Sequence, residues 1–277
     1  MRFILKLYNE SAERKVIPVN YQYPVSAWIY HTLGNADGEF AEKLHATGYV
    51  SGKQHFKNFT FSRLQFPPGG FKIDRDRLCV LSNEFQLVLS FRLPEITESF
   101  IKGLFAGSAL KIYDKAGGAE FAVKSIECVS DPHFSDKMLW QTISPVIVSR
   151  PHERNGRLIP DYLEPQHKEY KKYFIQNLVR KAASADTVET DSESIGFKPV
   201  TEARKRGITL KAGTPAQTKV ISYDFAFELV APEALQKVLY HAGAGELNAQ
   251  GFGCVKELNV GKEIAEFKTK DLVKQGM

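Results

Sequence analysis

The chain has 277 residues, of which 43% are hydrophobic and 25% charged, with a formal net charge of +5. That balance excludes a largely disordered chain, no apolar run approaches the ~20 residues of a membrane span, and the length fits two domains of roughly 100 to 150 residues each. Three cysteines, Cys79, Cys128 and Cys254, are odd in number and widely spaced. They argue against a disulfide framework or a paired-cysteine zinc site and read as buried small hydrophobes. The opening MRFILKLYNE enters a strand pattern at once, without the apolar core of a signal peptide, and predicts a cytoplasmic protein.

Arg2 to Tyr8 alternates as a strand, with Phe3, Leu5 and Leu7 on one face. A helix follows from Tyr23 and Pro24, carrying Val25, Trp28, Ile29 and Leu33 at helical spacing. Gly34 to Gly38 breaks it, and a shorter helical stretch with Phe40 and Leu44 on one side leads to His45. Phe59 to Leu64 and Phe85 to Leu93 read as strands, Pro94 to Phe105 as a helix, and Glu120 to Val129 as a strand after a Gly117-Gly118 turn. The second half opens with a strand at Trp140 to Ser149 and a helix at about Glu164 to Ala183. An acidic stretch of Asp186, Glu189, Asp191 and Glu193 then reads as a solvated loop. Strand-like runs at Ile195 to Val200, Ile208 to Leu210 and Val220 to Val230, a helix opening at Pro232 and a strand at Phe252 to Leu258 complete the series. Each half therefore reads β-α-β-β-α-β, which predicts an α+β protein of two tandem ferredoxin-like domains, residues 1–132 and 133–277. In RNA-recognition modules of this topology the four-stranded sheet is a platform for single-stranded RNA. The same fold also binds metabolites, metals and proteins, so the site must decide.

Between the last helix and strand lies GAGELNAQGFG, Gly243 to Gly253, with four glycines in eleven residues. Glycines there let backbone N–H groups meet phosphate oxygens, or let one backbone pack closely on another. The segment lacks the Gly-Lys-Ser/Thr of a nucleotide loop and the position of a dinucleotide fingerprint. Positive charge is uneven: residues 198 to 211 hold Lys198, Arg204, Lys205, Arg206 and Lys211 against Glu202 alone. Taken singly, either charge run reads first as a solvated face. His133, His152 and His167 lack metal-ligand spacing, and Asp74 and Asp76 fall in a charged DRDR turn, so no metal is expected.

The C-terminal GAGELNAQGFGCVKEL resembles the glycine-rich signature of the CRISPR-associated endoribonucleases that cut precursor CRISPR RNA within its repeats, members of the RAMP superfamily. MRFILKLY, AWIYHTL, KLHATGY, FKNFTFSRL and TISPVIVS fit the same family in order. The resemblance implies metal-independent cleavage without a cofactor, in which a ribose 2′-hydroxyl attacks the adjacent phosphate to leave a 2′,3′-cyclic phosphate and a 5′-hydroxyl. It favours His45 for proton transfer, Tyr30 to orient that histidine or share in deprotonation, and Lys57 to steady the phosphorane-like charge. Lys53 competes with Lys57 because the segment from Gly48 to Phe56 is longer than in some relatives, and His31 and His55 compete with His45 because the family's catalytic histidine shifts position between members. Considered alone, His45 reads as a solvated helix-end residue, Tyr30 as cover for the core edge and Lys57 as an exposed strand-start lysine. RNA binding is assigned to the groove between domains, bordered by Gly243, Gly245, Gln250, Gly251, Phe252, Gly253 and by Arg204, Lys205 and Arg206. The rings of Phe252 and Tyr223 also read as core. The expected partner is CRISPR repeat RNA, with other CRISPR effector-complex proteins and homodimerisation open and no membrane. The alternative readings are a non-catalytic RNA-binding subunit of an effector complex and a ferredoxin-like metabolite or protein module.

Overall fold

The computed structural model describes residues 1–9, 15–107, 109–185 and 192–258. In the first half, chain order is β1 (Arg2–Tyr8), β2 (Lys15–Pro18), α1 (Gln22–Ala36), α2 (Gly38–Ala46), β3 (Tyr49–Ser51), β4 (Gln54–Phe56), β5 (Phe59–Phe61), β6 (Phe71–Asp74), β7 (Arg77–Val80), β8 (Glu84–Phe91), α3 (Pro94–Phe105), β9 (Leu110–Asp114) and β10 (Gly117–Val129). The main sheet runs β5-β8-β1-β10-β9, with β2-β7-β6 and the β3-β4 hairpin apart from it. Alternation on β1 buries Phe3, Leu5 and Leu7 in one cluster with Val25, Trp28, Ile29 and Leu33 of α1 and Ile96 and Phe100 of α3. Gly34 does not end α1. The break falls at Asp37, whose extended backbone stops the helix and whose carboxylate accepts from the Phe40 N–H at 2.9 Å, capping α2.

The second half runs β11 (Lys137–Thr142), β12 (Ser149–Arg154), β13 (Arg157–Tyr162), α4 (Tyr170–Ala183), β14 (Gly196–Pro199), β15 (Arg204–Leu210), β16 (Thr218–Asp224), β17 (Ala226–Val230), α5 (Glu233–Ala242), a 3-10 turn at Asn248–Gln250 and β18 (Val255–Glu257). Its sheet order, β14-β17-β11-β18, repeats the order of β5-β8-β1-β10. Both halves are thus ferredoxin-like, as the element order predicts. The strand expected from Trp140 to Ser149 stops at Thr142, where Ser144-Pro145 follows and proline removes a ladder donor. The run from Val220 to Val230 divides at Phe225, since β16 pairs with β15 while β17 enters the main sheet. Helix α4 starts at Tyr170 rather than near Glu164, after the turn bonds His167 N–H to Glu164 O and Tyr170 N–H to His167 O. Residues 186–191 of the acidic stretch lie outside the described residues. Cys254 is buried and Cys79 intermediate, but Cys128 is exposed; β9 covers only Gly117 to Phe121 of β10 and leaves the rest an edge.

One polar row across the first sheet joins the halves. Thr60, Ser90 and Arg2 lie side by side on β5, β8 and β1. Thr60 Oγ1 donates to Phe252 O at 2.9 Å, and the Arg2 guanidinium donates to Val255 O at 2.7 Å and to Tyr240 O at the end of α5. Helix α5 therefore sits on β5 and β8, and this part of the first sheet is covered by protein instead of serving as an open RNA platform. Arg92 completes the join, donating to Lys181 O at 2.5 Å and Ala182 O at 2.8 Å in the last turn of α4. Both carbonyls also accept from the N–H groups of Ser184 and Ala185, and Lys181 O from the Ser184 hydroxyl, so the guanidinium adds a charge-assisted bond to each and complements the helix dipole. Among the described residues no helix is long and apolar enough to cross a membrane.

Candidate active site

A cleft of about 420 Å³ opens where the halves meet, with Tyr30, His45, His55 and Lys57 on one side and residues 245–250 with Asn177 and Lys181 on the other. Lys211, in the turn after β15, also lines it, its ammonium 5.6 Å from the centre of the Tyr23 ring.

His45 stands exposed on the last turn of α2. Its ring meets the edge of Tyr30 at 4.7 Å between centroids and 89°, and Tyr30 in turn packs at 5.6 Å against buried Phe59. Aromatic edge-to-face contacts of this kind fix a ring's plane. Burial pushes the Tyr30 phenol well above its usual pKa, so it stays protonated and suits orientation rather than proton abstraction. Lys57 Nζ donates to the His45 carbonyl at 2.7 Å, and burial lowers its pKa. Gly48 makes this approach feasible. Its left-handed backbone, φ +66, ends α2, and a Cβ there would lie 2.4 Å from Phe56 O and 2.9 Å from Lys57 Cδ.

Of the competitors, only His55 reaches the cleft; it rides on β4, with Nδ1 3.0 Å from Thr47 O. The long segment after Gly48 is the β3-β4 hairpin, which Tyr49 ties to α3 by donating to Glu95 at 2.6 Å. Lys53 occupies its turn, and neither Lys53 nor His31 lines the cleft.

The glycine-rich loop forms the opposite wall, yet its glycines serve packing. A Cβ on Gly245 would lie 2.2 Å from Ile147 O, on Gly251 2.7 Å from the Phe61 ring, and on Gly253 1.9 Å from Ala244 O. Many loop N–H groups are already spent: those of Gly243, Ala244, Glu246, Gln250, Gly251 and Gly253 bond to Leu239, Gly253, Ile147, Leu247, Asn248 and Pro145 carbonyls. Phe252 is fully buried beside Ile147, Ile208 and Val220, so its ring belongs to the core, as read from the sequence, and offers no face to RNA. Gly245 and Gln250 reach the cleft; Gly243, Gly251 and Gly253 do not line it. Neither do Arg204, Lys205 or Arg206. Arg206 shares the Asp224 carboxylate with Arg63, each at 2.8 Å, in a cluster that bridges the halves. The cation that β15 and its turn bring to the cleft is Lys211.

Sequence reasoning missed Lys181, whose side chain is 2% exposed. Its Nζ donates to Gly243 O at 2.6 Å, Gly245 O at 2.9 Å and Asn248 Oδ1 at 2.5 Å. Burial, with help from Arg92 and against Glu246, draws its pKa down to about 7. Glu246, its own pKa raised by burial, accepts from the Ser149 N–H at 2.7 Å and hydroxyl at 2.9 Å. The signal was a lysine on the apolar stripe of α4, next to Phe174, Leu178 and Ala182.

Two family models cover the chain, "CRISPR-associated protein Cas6, N-terminal" over residues 16–127 and "CRISPR associated protein Cas6, C-terminal" over residues 129–257. The CRISPR-associated endoribonuclease Cas6 1 of Methanocaldococcus jannaschii is 26% identical over 259 residues, 92% of each chain. The CRISPR-associated endoribonuclease Cas6 of Pyrococcus furiosus is 25% identical over 271 residues, covering 92% of this chain and 89% of that one. A solved structure of a Cas6-related protein from Pyrococcus furiosus matches the fold with a TM-score of 0.79 at 20% identity, over 94% of this chain and 99% of that one. With both ferredoxin-like halves, the cleft between them and the family models spanning nearly the whole described chain, this protein belongs to the CRISPR-associated Cas6 family.

Proposed function

We propose that this protein is an endoribonuclease that cuts CRISPR repeat RNA without a metal, in the cytoplasm where the precursor transcript is made. The observation that carries the reading is the convergence of His45, Tyr30 and Lys57 on one wall of the cleft, facing the glycine-rich loop. The first domain supplies the chemistry, and the second supplies the opposing wall.

In the reaction the ribose 2′-oxygen forms a bond to the adjacent phosphorus while the bond from phosphorus to the 5′-oxygen breaks. One proton must leave the 2′-hydroxyl and one must reach the 5′-oxygen. An imidazole does this work near neutral pH because both of its forms are accessible there. His45 has the exposure to reach the ribose, and Tyr30 fixes its ring. Lys57, freed from the His45 carbonyl by a phosphate oxygen, adds positive charge where the transition state gains negative charge. Its lowered pKa reflects an ammonium short of solvent, which a phosphate would satisfy. His55, on the same wall, is the second candidate for the other proton. Gly245, Gln250 and Lys211 lie along the cleft as RNA contacts. The polar groups that line the cleft include two imidazoles, His45 and His55, the amines of Lys57 and Lys211, several amides and one carboxylate, Glu246, and among the described residues no three His, Cys, Asp or Glu side chains come together as a metal site.

The test is cleavage of labelled repeat RNA in EDTA beside a strand with a single 2′-deoxy sugar at the scissile position. Cutting of the first alone, to a 2′,3′-cyclic end, supports the reading. Equal cutting of both, or cutting only with added divalent metal, refutes it. Tight binding with no cutting favours a non-catalytic RNA-binding subunit.

A further inference from the structure

Lys181 is a charged side chain placed where α4 would ordinarily bury an apolar one, and burying a lone ammonium is costly unless all its donors are met. Here they are met, and every acceptor belongs to one segment: Gly243 O, Gly245 O and Asn248 Oδ1. Those oxygens span the turn that becomes the cleft wall. Asn248 is itself locked, its Nδ2 donating to Ala244 O at 3.0 Å and Phe252 O at 3.1 Å, so the ammonium draws both ends of the loop onto one side chain. Leu247, next in line, holds a left-handed backbone at φ 55 and is 38% exposed on the cleft. A branched residue avoids that conformation unless its surroundings impose it. The imposed contacts are those of Lys181 on one side and of Glu246 with Ser149 on the other. Arg92 fixes the α4 end that carries Lys181 by bonding its carbonyl from the first domain. A chain of contacts therefore runs from the first domain, at the end of β8, through Arg92 and Lys181, to the loop across the cleft.

We propose that Lys181 is a positioning residue for RNA binding, which holds residues 245–250 in the shape that receives the repeat opposite Tyr30 and His45. This rests on the cleft being the RNA site. It does not require that the cleft cut RNA, so the two ideas fail separately. Lys181 touches no RNA and transfers no proton; it acts through the loop.

Lys181→Met keeps the stem and removes the donors, and Lys181→Gln keeps a shorter amide donor. Binding is measured by anisotropy with repeat RNA made uncleavable by a 2′-deoxy sugar, and folding by a cooperative thermal transition. Expected is a folded Lys181→Met that binds at least tenfold more weakly, with Lys181→Gln between it and wild type. In parallel, KM for cleavable RNA rises at least tenfold while kcat at saturation changes less than threefold. Unchanged binding in a folded Lys181→Met overturns the proposal. So does failure of both variants to fold, which assigns Lys181 to the fold alone. Wild-type protein that binds RNA but never cuts it sinks the nuclease reading while leaving the binding comparison decisive for Lys181.

Discussion

Arg92 offers a direct measure of what couples the two halves. Its guanidinium gives one bond of 2.5 Å to Lys181 O and one of 2.8 Å to Ala182 O, with a longer contact of 3.3 Å to Asn58 Oδ1. Arg92→Met keeps the bulk of the stem but deletes every donor. Hydrogen bonds from a charged group contribute about 1.5–3 kcal/mol each, and taking the lower figure for the two short ones gives about 3 kcal/mol. The weak third contact and the lost helix-dipole complement add to this, while hydration of the freed carbonyls offsets part of it. A change of that size lowers the melting temperature by roughly 6 to 12 °C in a protein this large. Differential scanning calorimetry on wild type, Arg92→Met and Arg92→Lys reads it, with the lysine variant expected between the others because it can meet one carbonyl. A drop under 2 °C for Arg92→Met would show that the bonds from Ser184 and Ala185 to the same carbonyls suffice, and Arg92 would not clamp the halves.

Three further outcomes follow from the cleft and its loop. Gly253→Ala places a Cβ 1.9 Å from Ala244 O at φ +74 and should cost about 3 kcal/mol or more, whereas Gly107→Ala, also at positive φ but with open space around it, should cost only about 1 kcal/mol by denaturant titration. For Lys181, below pH 7 the folded and unfolded chains both hold the proton, and between about 7 and its ordinary value of 10.5 only the unfolded chain does. Raising pH therefore favours the folded state; wild type should gain on Lys181→Met by roughly 1 kcal/mol per pH unit from 7 to 9, and a flat difference would mean the loop oxygens keep the ammonium charged. Tyr30→Phe retains the ring against His45, so its cleavage should fall less than tenfold with an unshifted pH profile; a loss as large as that of His45→Ala would make the hydroxyl itself a proton carrier.

The tandem fold was legible because its long elements carry strong periodicity: Phe3, Leu5 and Leu7 alternate, and Val25, Trp28, Ile29 and Leu33 mark one helical face. Strands of three or four residues, such as Tyr49–Ser51 and Gln54–Phe56, are too short to display a period. The β12-β13 hairpin escaped for another reason. It is mostly exposed on both faces, and its turn signal, Asn155-Gly156 at φ 53 and 71, sits between strands with no apolar alternation. The glycine segment was visible as a constrained backbone, but whether its N–H groups faced phosphate or carbonyl oxygens depended on Pro145, Ile147 and Phe61, far away in sequence. Arg206 shows the same limit for charge. The run of cations was plain, while its partner Asp224 and the rival Arg63 come together only through tertiary contact. Lys181 could have been suspected from its place on an apolar stripe, yet its three acceptors could not.

In the proposed reaction His45, held by Tyr30 and beside Lys57, acts on RNA lying in the cleft. Single-turnover cleavage of repeat RNA in EDTA by wild type, His45→Ala and His31→Ala tests it most directly. Expected is a fall of roughly 10²- to 10⁴-fold for His45→Ala with RNA affinity kept, and a near wild-type rate for His31→Ala, whose side chain lies off the cleft. An undiminished rate in His45→Ala, or a collapse in His31→Ala, would contradict it.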